Sequence, residues 1–280
     1  MNILQLINLG SIKLKANNII SHRIDSEILL SDVLNKKREE LLINLREIVS
    51  INNAKKFQKN ISRRSFKEPV AYILKKKEFW SKNFIVNRNV LIPRPETELM
   101  VEKIINIFSK KNIYILDVGT GTGCILLSIL NELKNARGLG IDISSHAIET
   151  ANQNLKKIKL SNSIKFQVKS LEDIYWRKFD LIVSNPPYIK TKDIKNLQDD
   201  IKKFEPKLAL DGGNDGLDVI KKVIYKSKSI LKIKGMLALE IGNEQFIKVS
   251  KILGKNNFRI RYLIKDFGEN IRCILSTLER

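Results

Sequence analysis

From residue 113 onward, short apolar runs alternate with longer amphipathic ones, and few folds accommodate that rhythm. Residues 113–118, 136–141, 164–169, 179–184 and 236–241 read as strands. Between them, 125–133, 146–157, 217–231 and 245–253 carry apolar residues at helical spacing. Strands separated by helices cannot pair through tight hairpins, so they pair in parallel, with the helices covering both faces of the sheet. The last two runs, 258–264 and 271–277, have only the polar stretch 265–270 between them, which predicts an antiparallel hairpin at one edge. The expected class is therefore α/β, with a mostly parallel sheet and an antiparallel last strand.

Sheets of this kind place their chemistry in loops beyond the carboxyl ends of the strands. Two such loops stand out. The first is Asn185-Pro186-Pro187-Tyr188, which follows the apolar run 179–184. Two successive prolines cannot donate to a sheet ladder, so the strand stops and the loop is stiff. Asn185 brings a carbonyl oxygen and an NH2 group. Pro186 brings a backbone carbonyl without an N–H, and Tyr188 a flat ring. Such a lining could hold a planar group that bears an NH2, either an amide or a nucleobase amine. The plain alternative is a tight loop without a ligand.

The second loop is Asp117-Val118-Gly119-Thr120-Gly121-Thr122-Gly123-Cys124. Its glycines allow a sharp turn and a close approach of a ligand to the backbone. The helix that follows offers free N–H groups and the positive end of its dipole. A dinucleotide site would show G-x-G-x-x-G, whereas here the spacing is G-x-G-x-G and Cys124 takes the sixth position. No Gly-Lys-Ser/Thr follows, which excludes a P-loop. Asp142 ends the next strand, about twenty residues on, where a carboxylate can accept the hydroxyls of a ribose. Gly119, Thr120, Gly121, Thr122, Gly123 and Asp142 are thus candidates for a nucleoside cofactor. Cys124 reads as a small packing residue, and His146 as exposed.

Ahead of this region, residues 1–70 read as a small helical recognition or packing domain. Ile3, Leu4, Leu6, Ile7 and Leu9 suit a first helix stopping near Gly10. A second starts near Asp25, with Ile28, Leu29, Leu30, Val33 and Leu34 as its buried stripe, and a third covers 52–65. His22 near a helix start reads as a surface or capping residue. Residues 71–93 mix aromatic and β-branched types around Ser81-Lys82-Asn83, which predicts a β-hairpin linker. Pro93 and Pro95 keep the next stretch extended, and Thr97 is positioned to cap a helix over 98–108. Residues 94–280 then form the second domain.

Composition narrows the function classes. The net charge of +21 would attract RNA, DNA or a nucleoprotein particle. A drift toward Lys, Asn and Ile along the whole chain explains the same charge without a partner. Two distant cysteines and two histidines make neither a metal cluster nor a disulfide scaffold, and no metal site is expected. No apolar run approaches the roughly 18 residues of a membrane span, and the N-terminus lacks a signal-peptide pattern. No membrane association is expected, and a cytoplasmic location follows.

Taken together, the 119–123 glycine loop, Asp142 and Asn185 to Tyr188 resemble a class I S-adenosylmethionine-dependent methyltransferase that modifies a planar nitrogen. Four further stretches narrow the family: the run from Arg23-Ile24-Asp25-Ser26-Glu27 to Leu30; Glu68-Pro69-Val70-Ala71-Tyr72; Phe79-Trp80 with Ile92-Pro93-Arg94-Pro95-Glu96-Thr97-Glu98; and Phe204-Glu205-Pro206 with Asp211-Gly212-Gly213 and Asp215-Gly216. The combination resembles the peptide chain release factor N5-glutamine methyltransferases, the PrmC/HemK family, over nearly the whole chain. The resemblance implies a Rossmann-like methyltransferase sheet behind an N-terminal helical substrate-recognition domain and a hairpin linker. It implies S-adenosyl-L-methionine as cofactor and, as protein substrate, the Gly-Gly-Gln glutamine of class I release factors. By position, Gly119 to Gly123 would approach the methionine portion and Asp142 the ribose, with Asn185 also bordering the cofactor. Asn185, Pro186, Pro187 and Tyr188 would bind the substrate, and Asn185, Pro186 and Tyr188 would carry catalysis. Where the family often has an acidic–aromatic pair near the adenine, this chain has Ser170-Leu171-Glu172-Asp173, and Leu171 or Glu172 is the candidate there. Two other readings use the same residues or charge. One is a DNA or RNA adenine N6-methyltransferase, although no inserted target-recognition domain is visible. The other is a non-catalytic, basic, ribosome-associated binding protein.

Overall fold

The structure, a computed structural model, describes residues 1–160, 163–176, 178–266 and 268–279. It divides into two compact units, Met1–Lys76 with Gln198–Phe204, and Lys77–Leu197 with Glu205–Arg280.

The first unit contains α1 (Ile3–Ala16), α2 (His22–Leu34), α3 (Arg38–Ile43), α4 (Ile51–Ser65) and α5 (Val70–Leu74). Asn2 and Gln5 close a capping box at the start of α1. Contrary to the expected stop at Gly10, α1 continues for six more residues. Gly10 sits where helices crowd: a Cβ there would stand 2.5 Å from Ser26 Oγ and 2.8 Å from Phe57 Cζ. The glycine permits close packing rather than ending the helix. The α2 stripe also differs from expectation. Leu29 and Leu30 are buried and Val33 and Leu34 pack half-buried against the same core, but Ile28 does not join it, and Asp25, Ser26, Glu27 and Ser31 take buried positions.

Those buried polar groups are paired. Ser26 Oγ donates to Ile7 O at 2.8 Å, and Arg64 Nε donates to Asp25 Oδ2 at 2.7 Å. Glu27 accepts from Arg23 Nε at 2.7 Å and Arg38 Nε at 2.9 Å. A buried charge that lost its partner would cost about 3–5 kcal/mol, so this layer fixes which helix faces which. Around it Ile3, Leu6, Ile7, Leu14, Leu29, Leu30, Phe57 and Ile61 form the apolar core.

The second unit opens with the hairpin of β1 (Lys76–Phe79) and β2 (Lys82–Ile85). Its turn is Trp80-Ser81, with φ of +50° and +54°, rather than the polar stretch 81–83. Two left-handed residues match the twist of a two-residue hairpin. Then come α6 (Pro95–Phe108), β3 (Tyr114–Val118), α7 (Cys124–Glu132), β4 (Arg137–Asp142), α8 (Ser145–Ile158), β5 (Ile164–Val168) and β6 (Phe179–Ser184). After α9 (Asp199–Phe204), which belongs to the first unit, follow α10 (Asp218–Ile230), β7 (Leu231–Glu240), α11 (Phe246–Lys255), β8 (Phe258–Lys265) and β9 (Ile271–Leu278). Thr97 is not a cap: Arg94 is the N-cap and Pro95 takes the first turn, where a missing N–H costs nothing.

The seven-stranded sheet has the order β5-β4-β3-β6-β7-β9-β8. All pairs from β5 to β7 are parallel, and β9 is antiparallel to both neighbours. The expected terminal hairpin is present, with the last strand inserted inside the edge strand. Alternate residues serve opposite faces. Ile115, Leu181, Val183 and Ala238 pack with Met100, Ile104 and Leu126, while Leu116, Ile182, Leu237 and Leu239 pack with Ile220, Val223 and Val249. Strands apolar on both faces are the mark of a sheet covered on both sides.

Replacing Gly10 by alanine should lower stability. Overpacking costs about 1–3 kcal/mol, and alanine's better helix propensity returns at most about 1 kcal/mol. Urea denaturation followed by circular dichroism would show a lower midpoint; an unchanged one would mean that α2 and α4 yield without cost.

Candidate active site

The site is built by strand register. Val118, the last residue of β3, lies beside Ser184, the last residue of β6, and Ser184 Oγ donates to Val118 O at 2.8 Å. One residue later both chains leave the sheet, one as Gly119 and the other as Asn185. This is where the chain reverses its direction of travel: β4 and β5 lie on one side of β3, and β6 and β7 on the other. Open α/β sheets bind ligands at this switch point.

The glycine loop folds back over β4. Gly119 N and Thr120 N both donate to Ile141 O, at 2.9 and 3.0 Å. Gly119, Gly121 and Gly123 have φ of +71°, +54° and +77°, which L side chains resist. A Cβ on Gly119 would meet nothing within 4 Å, so the loop faces open space. Gly123 caps α7 and could not take a side chain, because Phe166 Cζ would lie 2.9 Å away. The fully buried Asn154 holds the loop from behind, donating to Thr122 O at 2.9 Å and accepting from Ile85 N of β2 at 2.6 Å. Asp142 accepts from Gly121 N at 3.1 Å and Ser144 N at 2.9 Å. Each of its oxygens thus keeps acceptor capacity for a ligand hydroxyl.

Buried acids surround the loop. Asp117 is fully buried and accepts from Thr120 Oγ1 at 2.6 Å, while its Oδ1 has no partner among the described residues. Burial pushes its carboxyl up to about 7, against the Thr120 bond. Burial also raises the carboxyl of Asp142, opposed by the Ser144 and Gly121 N–H groups. Cys124 is buried and pushed up to about 12, chiefly by burial, so it is an inert packing thiol, as expected.

A cavity of about 480 Å³ joins the two loops. Gly119, Thr120, Gly121, Thr122 and Asp142 line one part of it, and Asn185 and Pro187 another. Leu171 and Glu172 are also in its wall, as are Arg94 and Thr97. Gly123, Pro186 and Tyr188 stand outside the wall. Tyr188 is packed from beneath: its hydroxyl accepts from Arg272 Nη2 at 3.2 Å, and its carbonyl accepts from Gln245 Nε2 at 3.1 Å. Gly212 and Gly216 pass directly against this loop. A Cβ on Gly212 would lie 2.8 Å from Pro187 O, and one on Gly216 2.5 Å from Tyr188 O. The prolines stiffen the loop and the glycines let a second backbone support it.

Three side chains around Asn185 were not singled out as site residues from sequence: Thr97, Glu240 and Arg272. Asn185 Nδ2 donates to Thr97 Oγ1 at 3.4 Å, and Thr97 Oγ1 donates to Glu240 Oε2 at 2.6 Å. Glu240 ends β7 with no exposed surface, and burial raises its carboxyl, with Thr97 and Arg272 acting in the opposite direction. A signal was present, since an acid inside the otherwise apolar run 236–241 stands near the carboxyl end of its strand, at the edge of the sheet that bears the loops. Arg94 of the cavity wall pairs with Glu205 at 2.7 Å, and Glu205 also accepts from Ile92 N at 3.4 Å.

Comparison with known proteins agrees with this geometry. The family described as PrmC N-terminal domain matches residues 5–74, and that described as methyltransferase domain matches 109–259. The release factor glutamine methyltransferase of Clostridium acetobutylicum is 39% identical over 267 residues, covering 94% of this chain and 94% of that protein. The bifunctional methyltransferase of Rickettsia felis is 37% identical over 303 residues; the match takes 98% of this chain but 58% of that protein. Among solved structures, a methyltransferase from Pyrococcus furiosus shares the fold with a TM-score of 0.54 at 14% identity, covering 71% of this chain and 89% of that one.

Asp117 gives a pH signature. Its folded value of about 7 lies above the ordinary carboxylate value of 3.8. The stability it contributes is therefore complete below the lower value and lost as pH rises through the upper one. In denaturant titrations, the wild type should lose stability relative to Asp117→Asn between about pH 4.5 and about pH 7.5. A difference that stays constant across that window would contradict the assignment.

Proposed function

We propose that this chain, which belongs to the release factor glutamine methyltransferase family, methylates the side-chain amide nitrogen, N5, of the glutamine in the Gly-Gly-Gln motif of class I peptide chain release factors. The observation that carries this reading is the β3–β6 register, which opens the glycine loop and Asn185 onto one cavity. Residues 1–70 then serve substrate recognition, 71–93 the linker and 94–280 methyl transfer. The work is cytoplasmic, where release factors act. Among the described residues no helix is long and apolar enough to cross a membrane.

The residues present suit S-adenosylmethionine. The cavity has the size of a small-molecule site. The glycine loop leaves open space for the methionine portion, and Asp142 keeps acceptor capacity for the ribose hydroxyls. Leu171 and Glu172, also in the cavity wall, would hold the adenine. When bound, this cofactor supplies a methyl group already activated on a sulfonium.

The remaining difficulty lies in the acceptor, because an amide nitrogen shares its lone pair with its carbonyl. Asn185 Nδ2 is occupied by Thr97, so Asn185 Oδ1 is the atom left to accept an N–H of the glutamine. For the other N–H we propose the Pro186 carbonyl, although Pro186 stands outside the cavity wall. Two acceptors aim the nitrogen and stabilise positive charge growing on it, a preorganised electrostatic effect. Tyr188, held by Arg272, supports the loop with its ring. The surplus proton leaves after transfer, so no strong base is required.

The deciding assay offers labelled methyl to three acceptors: a class I release factor, the same factor with its motif glutamine changed to alanine, and mixed DNA and RNA. Label on the first alone is expected. Label on nucleic acid would move the assignment to adenine N6 chemistry, and cofactor binding without any transfer would favour a non-catalytic binding role. Asn185→Ala should cut turnover by about 10²–10³ while leaving the melting temperature nearly unchanged. A folded Asn185→Ala enzyme at full rate would refute that role. Asp142→Ala should weaken S-adenosylmethionine binding by about tenfold or more in calorimetry, and unaltered affinity would remove Asp142 from the ribose.

A further inference from the structure

We propose that Thr97 and Glu240 are a positioning pair that fixes the amide of Asn185 with its NH2 turned inward and its Oδ1 presented to the acceptor nitrogen. The proposal rests on the methyl-transfer reading above, which uses the bond from Asn185 to Thr97 but gives no task to Glu240.

An asparagine amide has two orientations of nearly equal shape and opposite chemistry, since one end donates and the other accepts. Only its partners choose between them. Thr97 has a single hydroxyl proton, and it goes to Glu240 Oε2 at 2.6 Å. The threonine oxygen is then left as an acceptor, and it faces Asn185 Nδ2 at 3.4 Å. Were the amide reversed, Asn185 Oδ1 would meet a lone pair instead of a proton. Glu240 strengthens the choice. Its Oε1 is buried without a hydrogen-bond partner among the described residues, and the Asn185 side chain acts to lower its carboxyl against the effect of burial. An NH2 is favoured near a carboxylate and a carbonyl is not.

The fold delivers these three groups from distant parts of the chain. Glu240 follows Leu239, which pairs with Ser184, so the acid stands level with Asn185 on the neighbouring strand. Thr97 reaches both from the first turn of α6 and is itself buried. Pro93 and Pro95 stiffen the approach to that turn, and the Arg94–Glu205 pair anchors it. The Pro93-Arg94-Pro95-Glu96-Thr97 stretch, which the methyl-transfer reading leaves unused, thereby acquires a purpose: it delivers one hydroxyl to the back of Asn185.

The test compares the full-length wild type with Thr97→Val, which keeps the shape without the hydroxyl, and Thr97→Ser, which restores it. Thr97→Ala replaces the valine variant should that one not fold. Methyl transfer to a release factor gives kcat and KM, and calorimetry gives S-adenosylmethionine affinity. The Asn185 side-chain NH2 resonances, assigned by their loss in Asn185→Ala, report amide orientation independently of activity. Thr97→Val is expected to lower kcat by about tenfold to a hundredfold, leave KM and cofactor affinity within about twofold, and shift the NH2 resonances toward those of a free amide. Serine should bring kcat and resonances back together. A folded valine variant with wild-type kcat or unmoved resonances overturns the proposal, as does a serine variant as impaired as valine. A wild type that binds S-adenosylmethionine but transfers no methyl to the release factor defeats only the functional reading, and the resonances then decide the positioning pair.

Discussion

The parallel pairing of β3 with β6 is the contact on which the rest depends. It places Val118 beside Ser184, locked by one hydroxyl bond, and so brings the first residue of each loop to the same height on the sheet. Because side chains alternate with period two, a slip of one residue would turn Leu181 and Val183 to the wrong face. It would also separate Gly119 from Asn185 by a strand step. The apolar layers on both faces protect the register, each fully buried aliphatic side chain contributing about 1.5–3 kcal/mol. The site's precision is thus derived from the core rather than from the loops.

Acids gather at the carboxyl edge of this sheet, at or next to the ends of β3, β4 and β7. Burial raises all three, Asp117, Asp142 and Glu240, within a chain whose net charge is +21. Such groups are costly to bury and weak as sources of stability. Their hydrogen bonds go to the glycine loop, to Ser144 and to Thr97, so each shapes a neighbour.

Much of this was legible in the sequence because the signals are local. The central strands of the second unit are short apolar runs, β3 leading straight into Gly119 and β6 into Asn185-Pro186-Pro187, and β6 lies where the pattern put it. The glycine loop and Asn185 could be placed because each immediately follows such a run. What was missed depends on pairs distant in sequence. Thr97 and Glu240 are 143 positions apart, and Arg272 reaches Tyr188 across 84. Short helices such as α3, α5 and α9 hold too few turns for periodicity to show. In α2 most of the apolar stripe was found, but the burial of Asp25, Ser26 and Glu27 was not, because their partners are on other helices. Gly10 was taken for a stop because glycine's role in close packing leaves the same mark in a sequence as its role in breaking a helix.

The makeup of the first unit bears on how the polypeptide is born. Its first 76 residues leave the ribosome early, but the segment Gln198–Phe204 that completes it emerges more than a hundred residues later. Asp200, which lies 3.9 Å from the buried Arg64, arrives with that segment. Domains generally fold as they are synthesised, N-terminal first, at about 5–20 residues per second. Here the apolar core of the first unit is supplied by residues 3–74, while its last segment joins several seconds later by that rate, after the first strands of the second unit have been made. Maturation of the two halves is interleaved in time, so a chain arrested before residue 204 holds neither half complete.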